Sequence, residues 1–167
     1  MRLAAMLMAV ALSAQVRVPR PAPELVIAGP AAHEVRLSSL RGRVVLLAFV
    51  LTTCGHCQEA SKGFEHLRDQ FGSRGFEVVE AAINDNADSA TYTRQLNLRF
   101  PVGVTQRANA LRFLGIRGDQ RIGLPQVVLI DRTGMVRAQS APEGSPMLQS
   151  EDVLRGLIER LLSQGRR

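Results

Sequence analysis

Val44 to Leu51 is an unbroken apolar run, rich in valine and leucine and preceded by the glycine turn Arg41-Gly42-Arg43. Such a run predicts a central strand buried on both faces. Beyond Thr52 and Thr53 the period changes. Ala60, Phe64, Leu67 and Phe71 recur at three- and four-residue steps, which predicts a helix from about Gly55 to Phe71, closed by Gly72 and Gly75. Phe76 to Ile83 is the next expected strand, and strand–helix–strand makes a right-handed parallel unit. Asp88 caps a helix through about Leu98, Phe100–Val104 is a short strand, and Asn109–Leu114 is a short helical piece. Gln126–Ile130 and Met135–Ala138 predict a hairpin across Asp131-Arg132-Thr133-Gly134. Ser150 caps a last helix, with Glu151 and Asp152 in its first turn and an apolar stripe of Val153, Leu154, Leu157, Ile158, Leu161 and Leu162. Upstream, Leu25–Ile27 and His33–Leu37 form a short strand pair around Gly29-Pro30. The chain has no internal repeat, and the order of elements is mixed α/β.

The N-terminus follows another pattern. Met1 and Arg2 precede ten apolar residues, Leu3 to Leu12, and then Ser13, Ala14 and Gln15. A basic start, a short apolar run and small residues at its end describe a secretory signal peptide over residues 1–14, cleaved near Ser13 or Ala14. A helix of ten residues covers only about 15 Å, half a hydrocarbon core. Uncleaved, it would be a tether. Residues 15–24 hold three prolines and are expected as an extended leader, with the folded domain over 25–163. Export places the protein in the periplasm or outside the cell, an oxidising compartment.

Composition narrows the function. The 167 residues fit one domain, 46% of them are hydrophobic, and no stretch after residue 15 is apolar for long enough to span a bilayer. The net charge of +6 is almost all arginine, since Lys62 is the single lysine, and the arginines are interspersed with acids. That distribution argues against a nucleic-acid partner. Two cysteines cannot build a disulfide framework.

Those two cysteines carry the chemistry, as Cys54-Gly55-His56-Cys57 at a strand-to-helix junction. Two intervening residues leave them one helical turn apart, close enough to bridge reversibly. At the helix start Cys54 faces unpaired N–H groups and the positive dipole end, which favour the nucleophilic thiolate. Cys57, one turn in, is the shielded partner that resolves a mixed disulfide. A cationic His56 beside the thiolate would favour it further and make the disulfide a better oxidant. Zinc would need four ligands, with His33 and His66 joining the pair, but both read better as surface residues. Haem attachment needs His directly after the second cysteine, where Gln58 stands. A structural disulfide across so short a loop would stabilise little. No metal and no cofactor are expected.

Beyond the motif, the chain resembles the thioredoxin superfamily, and within it the exported TlpA/ResA-like thiol–disulfide oxidoreductases of redoxin (AhpC/TSA) type. Leu37 to Phe49 is similar to that family's approach to its central strand. Arg99-Phe100-Pro101-Val102 resembles the strand of its extra αβ insertion, and Gly123-Leu124-Pro125 before Val127–Asp131 resembles its cis-proline loop. The resemblance implies a three-layer α/β/α fold with a central mixed sheet and an N-terminal strand pair. It also implies catalysis by Cys54 and Cys57 with His56 beside them, and substrate binding at Leu124 and Pro125. A monomer is expected, acting on cysteine-containing proteins and recharged by a redox partner.

The sequence also departs from that pattern. Val50 and Thr53 stand where aromatic residues are usual, and Gln126 follows the proline where threonine is frequent. Six residues before the first cysteine, where a buried acid or amide is expected, stands Ala48, so a proton acceptor for Cys57 is missing there. Gly55-His56 is the dipeptide of protein disulfide isomerases. It leans toward a couple near roughly −180 mV rather than the roughly −270 mV of thioredoxin. Two alternatives remain: a peroxiredoxin-like thiol peroxidase, against which Leu51 stands in the usual threonine position, and a copper or zinc chaperone on the same fold.

Overall fold

The computed structural model describes residues 17–30 and 33–164. The expected signal peptide lies outside them. Among the described residues eight strands form one mixed sheet, in the order β1-β8-β7-β4-β5-β6-β2-β3. They are β1 (Arg20–Pro21), β2 (Val26–Ala28), β3 (Glu34–Arg36), β4 (Val44–Val50), β5 (Phe76–Ala82), β6 (Val102–Val104), β7 (Gln126–Ile130) and β8 (Met135–Gln139). The α-helices among the described residues are α1 (Gly55–Phe71), α2 (Ser89–Leu96), α3 (Arg107–Leu114) and α4 (Glu151–Ser163).

The seven residues of β4 are all buried because they serve two cores in alternation. Val44, Leu46, Ala48 and Val50 face a cluster with Phe64, Leu67 and Phe71 of α1 and Leu154, Ile158 and Leu161 of α4. Val45, Leu47 and Phe49 face Ala110, Leu111, Phe113 and Leu114 of α3. The period-two alternation of side chains across a strand thus builds the three layers. β4 runs parallel to β5 and antiparallel to β7, and β6 runs parallel to β5. The register pairs Ala48 with Glu80.

The sheet begins earlier than the expected domain start at residue 25. Arg20 and Pro21 pair with Val136 and Met135 of β8. The Arg20 guanidinium donates to Phe113 O at 2.8 Å and Gln139 Oε1 at 2.6 Å. This arginine ties the proline-rich segment to the edge of the sheet. Helix α3 starts at Arg107, two residues before the expected Asn109. Ser150 occupies the N-cap of α4, but its side chain makes no capping bond. Asp88 does cap α2, accepting from Thr91 N at 2.9 Å.

The αβ insertion is fastened to α1 by charge. The half-exposed Arg99 donates through its backbone N and its Nε to the two oxygens of the buried Glu65, each at 2.8 Å, and also pairs with Asp69. Bidentate carboxylate bonding of this kind fixes geometry as well as adding attraction.

Candidate functional site

The motif lies where β4 ends and α1 begins. Cys54 is the N-cap residue of α1, with φ −90° and ψ 116°, and its side chain makes no capping bond. Its sulfur therefore sits at the positive end of a 17-residue helix without being consumed as a cap. The loop before it is held by Asn84, whose Oδ1 accepts from Thr52 N at 3.0 Å, and by Gln58, whose Nε2 donates to Thr52 O at 3.0 Å. Val50 and Thr53 thus replace the usual aromatics without loosening the turn, because polar side chains from β5's end and α1 secure it.

Cys54 is partly exposed and Cys57 fully buried, and both are free thiols. Burial pushes the Cys57 thiol up to about 12; a backbone bond at Leu51 opposes this, while its hydrogen bond to Cys54 and the charges of Cys54 and Glu80 add to it. Cys57 therefore keeps its proton across the physiological range. His56 is exposed, and among the described residues its ring has no hydrogen-bond or ion-pair partner.

The Leu124–Pro125 peptide is cis. Leu124 and Cys54 are both partly buried against the cluster that contains Cys57, and Gln126 pairs with Phe49 near the end of β4, so the loop and the motif lie at the same end of the sheet. Gln126 accounts for its own presence there: its Nε2 donates to Gly123 O at 2.8 Å and Ala141 O at 2.9 Å, lacing the loop to the turn after β8. Gly123 completes the join. Its N–H donates to Pro142 O at 2.8 Å, and a Cβ there would collide with the backbone oxygen of Glu143. Gly123→Ala should therefore push the loop off this turn and destabilise the fold by about 1–3 kcal/mol. Urea denaturation measures that cost, and exchange with a protein disulfide should fall more than exchange with dithiothreitol.

One polar group near the motif comes from a distant strand. Glu80 of β5 points to the α1 side and is fully buried. Its Oε1 is 2.7 Å from Ser61 Oγ; that hydroxyl lies 2.8 Å from Cys57 O and 2.7 Å from Tyr92 OH. One hydroxyl proton cannot serve two acceptors, and a carboxylate is the stronger. With Glu80 ionised the chain therefore runs from Tyr92 OH to Ser61 Oγ to Glu80 Oε1. The other oxygen, Oε2, has no partner among the described residues. Burial pushes the Glu80 carboxyl up to about 8, against the opposing hydrogen bond from Ser61. The expectation that a proton acceptor is missing at position 48 holds for that position alone, because β5 brings a carboxyl to the same layer one strand away. Of the two glutamates between Phe76 and Ile83, Glu80 falls on the same alternate positions as Phe76, Val78 and Ala82, which was the available signal.

His33 lies in the turn between β2 and β3, and the ring of His66 is 3.5 Å from Glu151 on α4. Among the described residues no group of three or more His, Cys, Asp or Glu is placed to hold a metal ion. No described helix is long and apolar enough to cross a membrane.

Known proteins resemble both the sequence and the architecture. The thiol-disulfide oxidoreductase ResA of Bacillus thuringiensis (strain Al Hakam) is 25% identical over 149 residues, covering 88% of this chain and 80% of its own. ResA of Geobacillus kaustophilus (strain HTA426) is 27% identical over 117 residues, 70% of this chain and 64% of its own. A crystal structure from Chlorobium tepidum, assigned as a thiol:disulfide interchange protein DsbE, superposes with a TM-score of 0.72 at 26% identity. That match covers 86% of this chain and 96% of the other. The AhpC/TSA family matches residues 18–139, a span that runs from the docked leader through β4, the cysteine pair and the cis-proline loop to the last strand. With sheet, motif and loop all inside that match, the chain belongs to the AhpC/TSA family and has a thioredoxin-like fold.

Proposed function

We propose that the protein is a thiol–disulfide oxidoreductase that exchanges a Cys54–Cys57 dithiol or disulfide with the cysteines of other proteins. The observation that carries this reading is the unequal placement of the two sulfurs. Cys54 is reachable at a helix N-terminus, while Cys57 is fully buried one turn later, where burial keeps its thiol protonated. Relatives that bear the name thiol-disulfide oxidoreductase support it.

In the reducing direction the Cys54 thiolate attacks a substrate disulfide and displaces one substrate sulfur, leaving a mixed disulfide. Cys57 then attacks Cys54, closing the Cys54–Cys57 disulfide and releasing the second sulfur as a thiol. The loop at Leu124 and Pro125 is assigned to the substrate chain, which would lie extended beside Cys54. His56, exposed next to Cys54, is assigned the electrostatic support of its thiolate. The basic start and apolar run of residues 1–14 support export, with action on the outer side of the membrane.

Turnover of a protein disulfide by the reduced protein, followed against hydrogen peroxide as competing oxidant, tests the reading. Catalytic reduction of the protein disulfide is expected. Peroxide turnover with no exchange on protein thiols would replace it with a thiol peroxidase. Equilibration with glutathione then fixes the direction: a potential near roughly −180 mV marks an oxidant or isomerase, and one near roughly −270 mV a reductant.

A further inference from the structure

The arginines of this fold are not all occupied. Arg43, Arg137 and Arg155 meet carboxylates at 3.0, 2.6 and 2.7 Å, and Arg20 and Arg132 tie distant segments together through backbone carbonyls. Between Phe100 and Ile130 the balance differs. That stretch carries Arg107, Arg112, Arg117 and Arg121 against a single acid, Asp119, and all four arginines are exposed. Arg107 and Arg112 bond to neutral oxygens, Gln120 O at 3.3 Å and Asn109 Oδ1 at 3.2 Å. The Arg121 side chain has no hydrogen-bond or ion-pair partner among the described residues. Asp119 lies 3.7 Å from Arg117, but both side chains stand in solvent, where such a pair is worth little.

The sheet topology brings these arginines to the end of the molecule that carries the motif. Strands β4, β5 and β6 are parallel, so Cys54, just beyond Val50, and Arg107, just beyond Val104, follow strands that finish at the same end of the sheet. The chain returns there through residues 115–122 and enters β7 at Gln126, opposite Phe49. The bond from Arg107 to Gln120 clips that returning loop to the start of α3. Arg121 stands three residues before Leu124, at most about 11 Å along the backbone. Leu124 packs against both cores, so its loop reaches from the cysteine layer to the α3 layer, where Leu51 and Ile122 share the second core. A cavity of about 420 Å³ opens beside α3, lined by Leu111 and Ile116 together with Arg107 and Arg112. The acids at this end of the sheet belong to other segments: Asp85 and Asp88 follow β5, and Glu143 follows β8.

We propose that this basic patch receives an acidic segment of the protein substrate, so that the enzyme selects disulfides whose cysteine lies within a few residues of aspartate or glutamate. The inference rests on the exchange reaction proposed above and adds a substrate class to it. A substrate chain aligned on the Leu124 loop, with its cysteine at Cys54, carries its neighbouring residues across the loop onto the α3 layer. Guanidinium groups without a carboxylate of their own stand there, and their planar fork matches a carboxylate through two parallel bonds. Because the arginines are exposed, each contact adds little affinity. Their combined field instead raises the rate of encounter with a chain of opposite charge, an effect that salt screens.

Two symmetric peptide disulfides test this, one with glutamates flanking its cysteine and one with lysines at the same positions. Each is mixed with the reduced protein, quenched in acid and resolved by mass, which gives the rate of attack by Cys54. At about 20 mM salt the glutamate peptide should react about tenfold faster, and at about 0.5 M salt the two rates should agree within about twofold. Arg107→Gln, Arg112→Gln and Arg121→Gln combined should cut the low-salt preference to about twofold. Removing the same charge elsewhere, through Arg17→Gln, Arg36→Gln and Arg160→Gln, should leave it near tenfold. Equal rates for the two peptides at low salt, or a preference that both triple variants lose alike, would overturn the proposal and leave the exchange reaction standing. Absence of a mixed disulfide with either peptide would overturn both. If the patch variant keeps the peptide preference but loses binding to phosphatidylglycerol vesicles that the wild type shows, the patch faces an anionic membrane surface and the proposal is likewise overturned.

Discussion

Cys54→Ser removes protein thiol exchange to the limit of detection, whereas Cys57→Ser leaves an enzyme that attacks once and stays bound. A serine hydroxyl at position 54 is not ionised near neutral pH, so the helix N-terminus has no thiolate to favour and no nucleophile remains. The second variant retains that nucleophile but has nothing to break the mixed disulfide. Incubated with a reducible protein and analysed by mass without reductant, the Cys57→Ser protein should carry the substrate on Cys54, and the Cys54→Ser protein should carry nothing. Burial of Cys57 at 0% exposure is the reason for the asymmetry, since a substrate disulfide cannot reach it. Equal trapping on both variants would mean that the two sulfurs are equally accessible, contrary to this placement.

The wild-type dithiol protein should lose stability as pH rises from about 5 to about 8, and Glu80→Gln should not. The carboxyl of Glu80 is raised from 4.5 to about 8, so above 4.5 the folded state binds more protons than the unfolded one. Stability then falls with rising pH through that window and is level above it. A shift of this size corresponds to about 5 kcal/mol between the two ends. Glu24 and Asp131 move the other way, held below the usual carboxylate range, so their contributions are lost only in acid and do not overlap this window. The Cys57 thiol contributes at still higher pH. Urea denaturation of both proteins across pH 5–9 measures the effect. Any constant cost of placing an amide nitrogen beside no acceptor cancels, because each protein is compared with itself. A wild-type curve as flat as the variant's would mean that the acid is ionised in the fold at no cost.

Much of this architecture was legible from periodicity. Helix α1 runs from Gly55 to Phe71 as its apolar spacing predicts, because Phe64, Leu67 and Phe71 all meet the sheet. The run at Val44 became the central strand because a segment with no polar position can only be covered on both sides. The features that escaped are those created by distant partners. Strand β1 is two residues long and includes a proline, so no alternation announces it; its place depends on Arg20 reaching Phe113 and Gln139. The first turn of α3 is polar at Arg107 and Asn109, and its apolar period starts only afterwards. At the site, the cysteine pair and the cis-proline loop were readable as local strings. Glu80 was not, because its relation to Cys57 exists only once β5 lies beside β4 and a helix covers both.

The two outer strands of the sheet bear on how a partner can dock. At one edge β1 offers two residues, of which Pro21 has no N–H to donate; at the other β3 offers three, with Glu34 and Arg36 paired to each other. Edges this short, closed by proline or by charge, are poor templates for a further strand. Copies of the protein should therefore not stack edge to edge, even when crowded. Under the proposed function, an incoming chain is likewise turned away from the rims of the sheet and toward the Leu124 loop that is assigned to it.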